Sequence, residues 1–168
     1  MNAIMPLPST SVMHGQQVWP DQRRLAAMPL RDSIEFTALD CSPGFARDRA
    51  VAVLNAWGLG ELEYPVTMIV SELVTNSVHA TEEVKWRGMA GVVRVWMHGG
   101  PLPLGVYVLV HDPVVILPEW RDASEVDDMA ESGRGLSMVV PALSAACGSY
   151  LAADLPGKVT WALITSTG

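Results

Sequence analysis

Apolar residues recur every three or four positions over residues 64–79, where the sequence reads YPVTMIVSELVTNSVH. At 100° per residue, this spacing predicts an amphipathic helix with one buried stripe. The predicted stripe consists of Val66, Ile69, Val70, Leu73, Val74 and Ser77. Glu72, Asn76 and His79 fall together along its edge, so the pattern predicts polar side chains beside the core.

A second helix is predicted upstream, over residues 43–57, because its apolar residues share one face. Ser42 is the predicted N-cap, Pro43 stands at the first helical position, and Gly58 ends the helix. Residues 33–39 alternate between apolar and polar, which predicts a half-buried strand before this helix.

Three more strands are predicted, at residues 92–98, 104–112 and 159–165, and a further helix is predicted over 136–146, closed by Gly148. The element order is then β, α, α, β, β, loop, α, β. This order predicts an α+β fold, a two-layer sandwich in which about three helices cover one face of a mixed, mostly antiparallel sheet.

The composition sets limits on the function. The 168 residues are 49% hydrophobic and carry a formal net charge of −7, which argues against a direct nucleic-acid binder. The two cysteines and four histidines lack metal-ligand spacing, so a zinc site is not expected. No apolar run is long enough to span a membrane, and the sequence predicts a cytoplasmic protein.

The N-terminal residues 1–30 show no periodicity and contain four prolines. They are predicted to form a flexible N-terminal tail. Residues 31–168 then make up a single domain, a length that can bury a proper core.

Glu72 and Asn76 are the first candidates for chemistry. One helical turn apart beside the core, a carboxylate and a carboxamide can share one ligand or ion. The alternative is that both are ordinary exposed helix residues.

Asp112 ends a predicted strand and shares a face with apolar residues at every second position. If that face is the core side, the carboxylate lies at the rim of an apolar cavity, where the exocyclic amine of a purine would satisfy it. The alternative is an aspartate that caps a turn before Pro113.

Gly133-Arg134-Gly135 precedes the last predicted helix. Two glycines allow close backbone approach, and a helix N-terminus attracts anions, so this segment is a candidate phosphate cradle. A flexible hinge is the alternative reading. Arg134 could reach a γ-phosphate, or it could be an ordinary solvated arginine.

In this order, these features resemble the GHKL (Bergerat-fold) ATPase superfamily. The chain looks most like the small bacterial anti-sigma-factor serine kinases. VSELVTNSV at residues 70–78 is similar to the family's N box, ESGRGL at 131–136 to its second glycine box, and GKVTW at 157–161 to its closing strand. The resemblance covers about residues 33–165.

The resemblance implies ATP and Mg²⁺ as cofactors, with Asn76 coordinating the metal and Glu72 acting as general base on a serine hydroxyl or water. Asp112 would bind the adenine amino group. Gly133 and Gly135 would cradle phosphate beneath a mobile lid at about residues 113–132. The implied partners are a sigma factor and an anti-sigma-factor antagonist, with a homodimer possible.

Two positions depart from the usual family pattern. The common D-x-G-x-G box is replaced by Asp112 followed by PVVI, a variant that resembles the D-P-x-x-x-L-P pattern of many anti-sigma kinases. His79 stands where relatives carry Lys or Arg; it could contact phosphate when protonated, or it could be a neutral surface histidine.

Three functions are therefore open from the sequence. The first is a serine/threonine protein kinase, which the retained Glu72 favours. The second is a non-catalytic, nucleotide-dependent interaction module, which the glycine-poor segment after Asp112 favours. The third is an orphan histidine-kinase catalytic domain, although no phospho-accepting helical hairpin precedes it.

Overall fold

The computed structural model of the protein describes residues 16–83, 91–120 and 135–166. Five strands form one sheet in the order β1-β2-β3-β5-β4. The strands are β1 (Leu30–Thr37), β2 (Val92–Gly100), β3 (Gly105–Asp112), β4 (Ala146–Leu151) and β5 (Lys158–Ile164). The helices are α1 (Gln22–Ala27), α2 (Ser42–Trp57), α3 (Glu63–Glu82) and α4 (Val140–Leu143), with a 3₁₀ turn at Gly60–Leu62 and a π-helical turn at Gly135–Val139.

The α+β class is confirmed, and the sheet is simpler than predicted. All four strand pairs of the described sheet are antiparallel, so the sheet is not mixed. The main core lies between one sheet face and α2, α3 and α4. Helix α1 packs on the opposite face, so only the other three helices share one side of the sheet.

The amphipathic pattern of α3 is confirmed. All six residues of the predicted stripe are buried, and five of them form part of the main core. Complete burial of one such aliphatic side chain contributes about 1.5–3 kcal/mol to folding. This stripe fixes the rotation of α3 about its axis and therefore the direction of its polar edge.

The start of α2 differs from the prediction. Cys41, not Ser42, is the N-cap residue, and Ser42 is buried in the first turn. Its Oγ donates to the Thr37 carbonyl oxygen at 2.9 Å and accepts from the Leu39 amide at 3.0 Å. The hydroxyl therefore closes the turn from β1 instead of capping the helix. Gly58 ends the helix as predicted, with a φ of 69°.

The helix predicted over residues 136–146 ends three residues earlier than predicted. A π-helical turn and the four-residue α4 occupy 135–143, and residues 146–151 form β4. Pro141 lies in the first turn of α4, where its missing N–H costs least. Gly148 lies within β4 instead of ending a helix. The position requires a glycine, because an added Cβ would lie 2.6 Å from the Val18 Cβ.

Part of the predicted N-terminal tail packs against the sheet. The Val18 amide donates to the Ser149 carbonyl oxygen at 2.8 Å, and the Trp161 indole donates to the Val18 carbonyl oxygen at 2.8 Å. Arg24 donates to the Leu104 carbonyl oxygen at 2.8 Å. Residues 16–29 therefore cover the second sheet face, while residues 1–15 lie outside the described residues.

Substitution of Gly157 should test the turn between β4 and β5. With φ at 124°, a Cβ at this position would lie 1.9 Å from the Asp112 carbonyl oxygen. We expect Gly157→Ala to destabilise the protein by roughly 3 kcal/mol, through strain and overlap together. Gly58→Ala is the control, because its Cβ would meet nothing within 4 Å, and it should cost about 1 kcal/mol. Equal losses in urea unfolding would contradict this account.

Candidate functional site

A fully buried carboxylate lies where the end of β3 meets α3. Asp112 has no exposed surface and accepts hydrogen bonds from three groups. The Ser77 hydroxyl donates to Oδ2 at 2.9 Å, and the Lys158 ammonium donates to Oδ1 at 2.8 Å. The Val114 amide donates to Oδ1 at 3.0 Å. We call Ser77, Asp112 and Lys158 the buried polar cluster.

Three regular patterns bring the buried polar cluster together. Ser77 belongs to the buried stripe of α3, and Asp112 lies on the β3 face that points to the helices. Lys158 is directly opposite Asp112 in the pairing of β3 with β5. Two buried opposite charges are tolerated only when their geometry is good and their remaining polar atoms are bonded. The three donors to Asp112 meet that requirement.

Asp112 does cap a turn, which was the alternative role that the sequence left open for it. The Val114 amide bonds to the Asp112 side chain two residues earlier, as in an Asx turn before a proline-led loop. The same carboxylate also reaches α3 and β5. Asp112 therefore caps a turn and also joins three elements.

The sequence placed Ser77 only in the buried stripe of α3 and assigned no role to Lys158 or Thr160. Lys158 and Thr160 alternate with the apolar residues Val159 and Trp161, so period two places both polar residues on the helix-facing side of β5. Both are buried. The Thr160 hydroxyl has no hydrogen-bond partner among the described residues. The signal in the sequence that could have identified Lys158 and Thr160 was a polar residue at every second position of a buried strand.

Glu72 and Asn76 lie on the edge of α3, where both are half-buried. Burial raises the pKa of the Glu72 carboxyl above its ordinary value. His79, about one turn beyond Asn76 and two turns beyond Glu72, is exposed. One edge of α3 thus carries the Glu72 carboxylate, with its raised pKa, and the Asn76 carboxamide oxygen, and this edge ends at the exposed His79.

The glycine segment is described only in part. Gly135 begins the π-helical turn, and Leu136 behind it is buried in the main core. Gly133 and Arg134 lie outside the described residues, as does most of the predicted lid. The front of that lid is held in place, because the buried Trp120 donates its indole N–H to Ser149 Oγ at 3.1 Å.

Within the described ranges, no three His, Cys, Asp or Glu side chains are grouped to hold a metal ion. None of the described helices combines the length and apolar character that a membrane span requires. No protein-family model and no curated protein matches the sequence.

The buried polar cluster should behave as a coupled unit in unfolding experiments. Lys158→Met leaves the Asp112 charge without its cation and should destabilise the protein by about 3–5 kcal/mol. Asp112→Asn leaves the Lys158 charge unpaired and should also be costly. We expect the double variant to lose less stability than the two single variants added together. Additive losses in urea denaturation would show that the ion pair is not energetically coupled.

Proposed function

We propose that this protein is a Mg·ATP-dependent serine/threonine protein kinase of the anti-sigma-factor type, built on the Bergerat ATP-binding fold. The observation that carries the proposal is the meeting of three distant segments. Helix α3, which bears Glu72 and Asn76, contacts both β3, which ends at Asp112, and the segment that starts at Gly135. Motifs far apart in sequence that pack side by side support one shared ligand site.

Asp112 retains capacity for adenine. An ionised carboxylate has about four acceptor positions, and three of them are taken by Ser77, Lys158 and Val114. One position remains for the exocyclic amine of the base, which would have to displace side chains that now cover Asp112 completely. The Thr160 hydroxyl, which has no partner in the described part of the chain and lies on the same sheet face, would provide a second group for the base or for a bridging water.

Asn76 has the chemistry expected of a Mg²⁺ ligand in a polyphosphate site. Its side-chain oxygen is neutral and hard, and Mg²⁺ in such sites takes few protein ligands because phosphates and water supply the rest. When bound, Mg²⁺ would offset negative charge on the transferred phosphoryl group. Gly135 would offer backbone N–H groups to the phosphates, and His79 would lie at the exposed end of this line.

Glu72 is suited to remove a proton from a serine hydroxyl. Its raised pKa makes the carboxylate a better proton acceptor, and half-burial leaves it accessible to an incoming side chain. The proposed protein substrate is an anti-sigma-factor antagonist. The proposed second partner is a sigma factor, held by the kinase when the antagonist is phosphorylated, and the kinase itself could act as a homodimer.

A non-catalytic, nucleotide-dependent interaction module is the second candidate. It is favoured by the Lys158–Asp112 ion pair, because the carboxylate is already satisfied inside the fold and needs no nucleotide. The proline after Asp112 adds to this reading, since it stiffens the segment where the usual glycines would wrap phosphate.

Asp112→Asn should weaken ATP binding by roughly 1–3 kcal/mol, because the amide mispairs with the adenine amino group. In calorimetry this corresponds to about tenfold to hundredfold in Kd. Ser77→Ala is the matched control, since it disturbs the same cluster but keeps the acceptor. Equal losses of affinity in both variants would assign the effect to the fold and not to the base contact.

Glu72→Gln should separate the two candidate functions. For a kinase, phosphoryl transfer from labelled ATP to candidate antagonist proteins should fall by about 10²–10⁴-fold, while ATP affinity is kept. Glu61→Gln, at an exposed position in the 3₁₀ turn, should leave transfer unchanged. Wild-type protein that binds ATP and antagonist but transfers no phosphate would favour the interaction module.

A further inference from the structure

A cavity lies on the sheet face opposite α3, away from the buried polar cluster. Its volume is about 380 Å³, within the usual range for small-molecule sites. Its lining includes Trp19, Trp96, His98, His111, Tyr150 and Asp154. The residues of β2, β3, β4 and β5 contribute to it, and the N-terminal segment supplies Trp19.

The strand pairing gives the cavity a floor and two walls. His111 and Val159 are paired neighbours on the two central strands, β3 and β5, and form part of the floor. Trp96 on β2 and Tyr150 on β4 stand at either side of them. With three strand spacings between them, the backbones of β2 and β4 are about 14 Å apart.

Aromatic rings dominate both walls. Trp19 stacks on Tyr150 with ring centroids 3.9 Å apart and an interplanar angle of 24°. Trp96 meets the His111 ring edge-to-face, with centroids 6.2 Å apart. Trp19 is 51% exposed, so a ligand can reach its wall from solvent. Such walls favour a flat ring system.

The two histidines of the cavity are held as different tautomers of neutral imidazole. His111 Nε2 lies 3.1 Å from the Pro156 carbonyl oxygen, so Nε2 carries the proton and Nδ1 is an acceptor. That Nδ1 is buried and has no partner among the described residues. His98 Nδ1 accepts from Arg31 Nη1 at 3.2 Å, which leaves its Nε2–H as a donor.

Both histidines stay uncharged near neutral pH. Burial lowers the pKa of His111, and burial together with the Arg31 charge lowers the pKa of His98. Among the described residues that line the cavity, Asp154 alone carries a formal charge, so this lining itself provides no cation for an anionic ligand. A neutral ligand therefore suits this lining better than a phosphate-bearing one.

We propose that this cavity binds a neutral, planar heteroaromatic molecule whose ring N–H donates to His111 Nδ1. The ligand lies between the Trp19–Tyr150 stack and Trp96. The site is independent of the proposed nucleotide site, because the sheet separates the two.

Theophylline and caffeine make a matched pair of probes, because caffeine differs by a methyl group that replaces the ring N–H. We expect theophylline to bind the full-length protein with a Kd below about 1 mM. Caffeine should bind at least about tenfold more weakly. Calorimetry gives the affinities, and the indole N–H signals of Trp19 and Trp96 should shift in NMR spectra.

Two variants locate the binding. His111→Phe keeps a ring but removes the acceptor, so the preference for theophylline over caffeine should disappear. Trp19→Ala removes one exposed wall and should weaken both probes. Absence of theophylline binding up to about 10 mM, equal affinity of both probes for the wild type, or displacement of theophylline by Mg·ATP would each overturn the proposal.

Discussion

The arrangement of β3, β5 and α3 depends on the buried ion pair between Asp112 and Lys158. Both side chains are almost completely buried, so each would be costly without the other. The pair fixes the end of β3 against the start of β5, and Ser77 extends the same network to α3. Any site along the edge of α3 therefore depends on how these three elements are placed relative to one another.

The same network would also determine how Asp112 presents its carboxylate to a nucleotide. A carboxylate that already has three donors is preorganised, because its oxygens cannot rotate away when a ligand arrives. Its remaining acceptor position is then directional, which suits recognition of an amine. The network also makes Asp112 a structural residue, and a loss of binding on its substitution has to be separated from a loss of fold.

Periodic features could be predicted from the sequence, and non-periodic ones could not. The stripe of α3 and the alternation in β3 placed Glu72, Asn76 and Asp112 correctly on their elements, because one repeated residue pattern determined each face. Strand β4 was missed, since Ala146, Cys147, Gly148 and Ser149 carry no strand signal; the partners that hold β4 are distant in sequence. Lys158 was missed for a similar reason, because its role depends on the register of β5 against β3.

His111 and Asp112 are consecutive residues of one strand, yet their side chains serve opposite faces of the sheet. Val159 and Lys158 repeat this arrangement on the neighbouring strand. The paired backbones of β3 and β5 therefore separate the aromatic cavity from the buried carboxylate. Because one stretch of backbone carries both side chains, any substitution that shifts the end of β3 has to be assessed on both faces of the sheet.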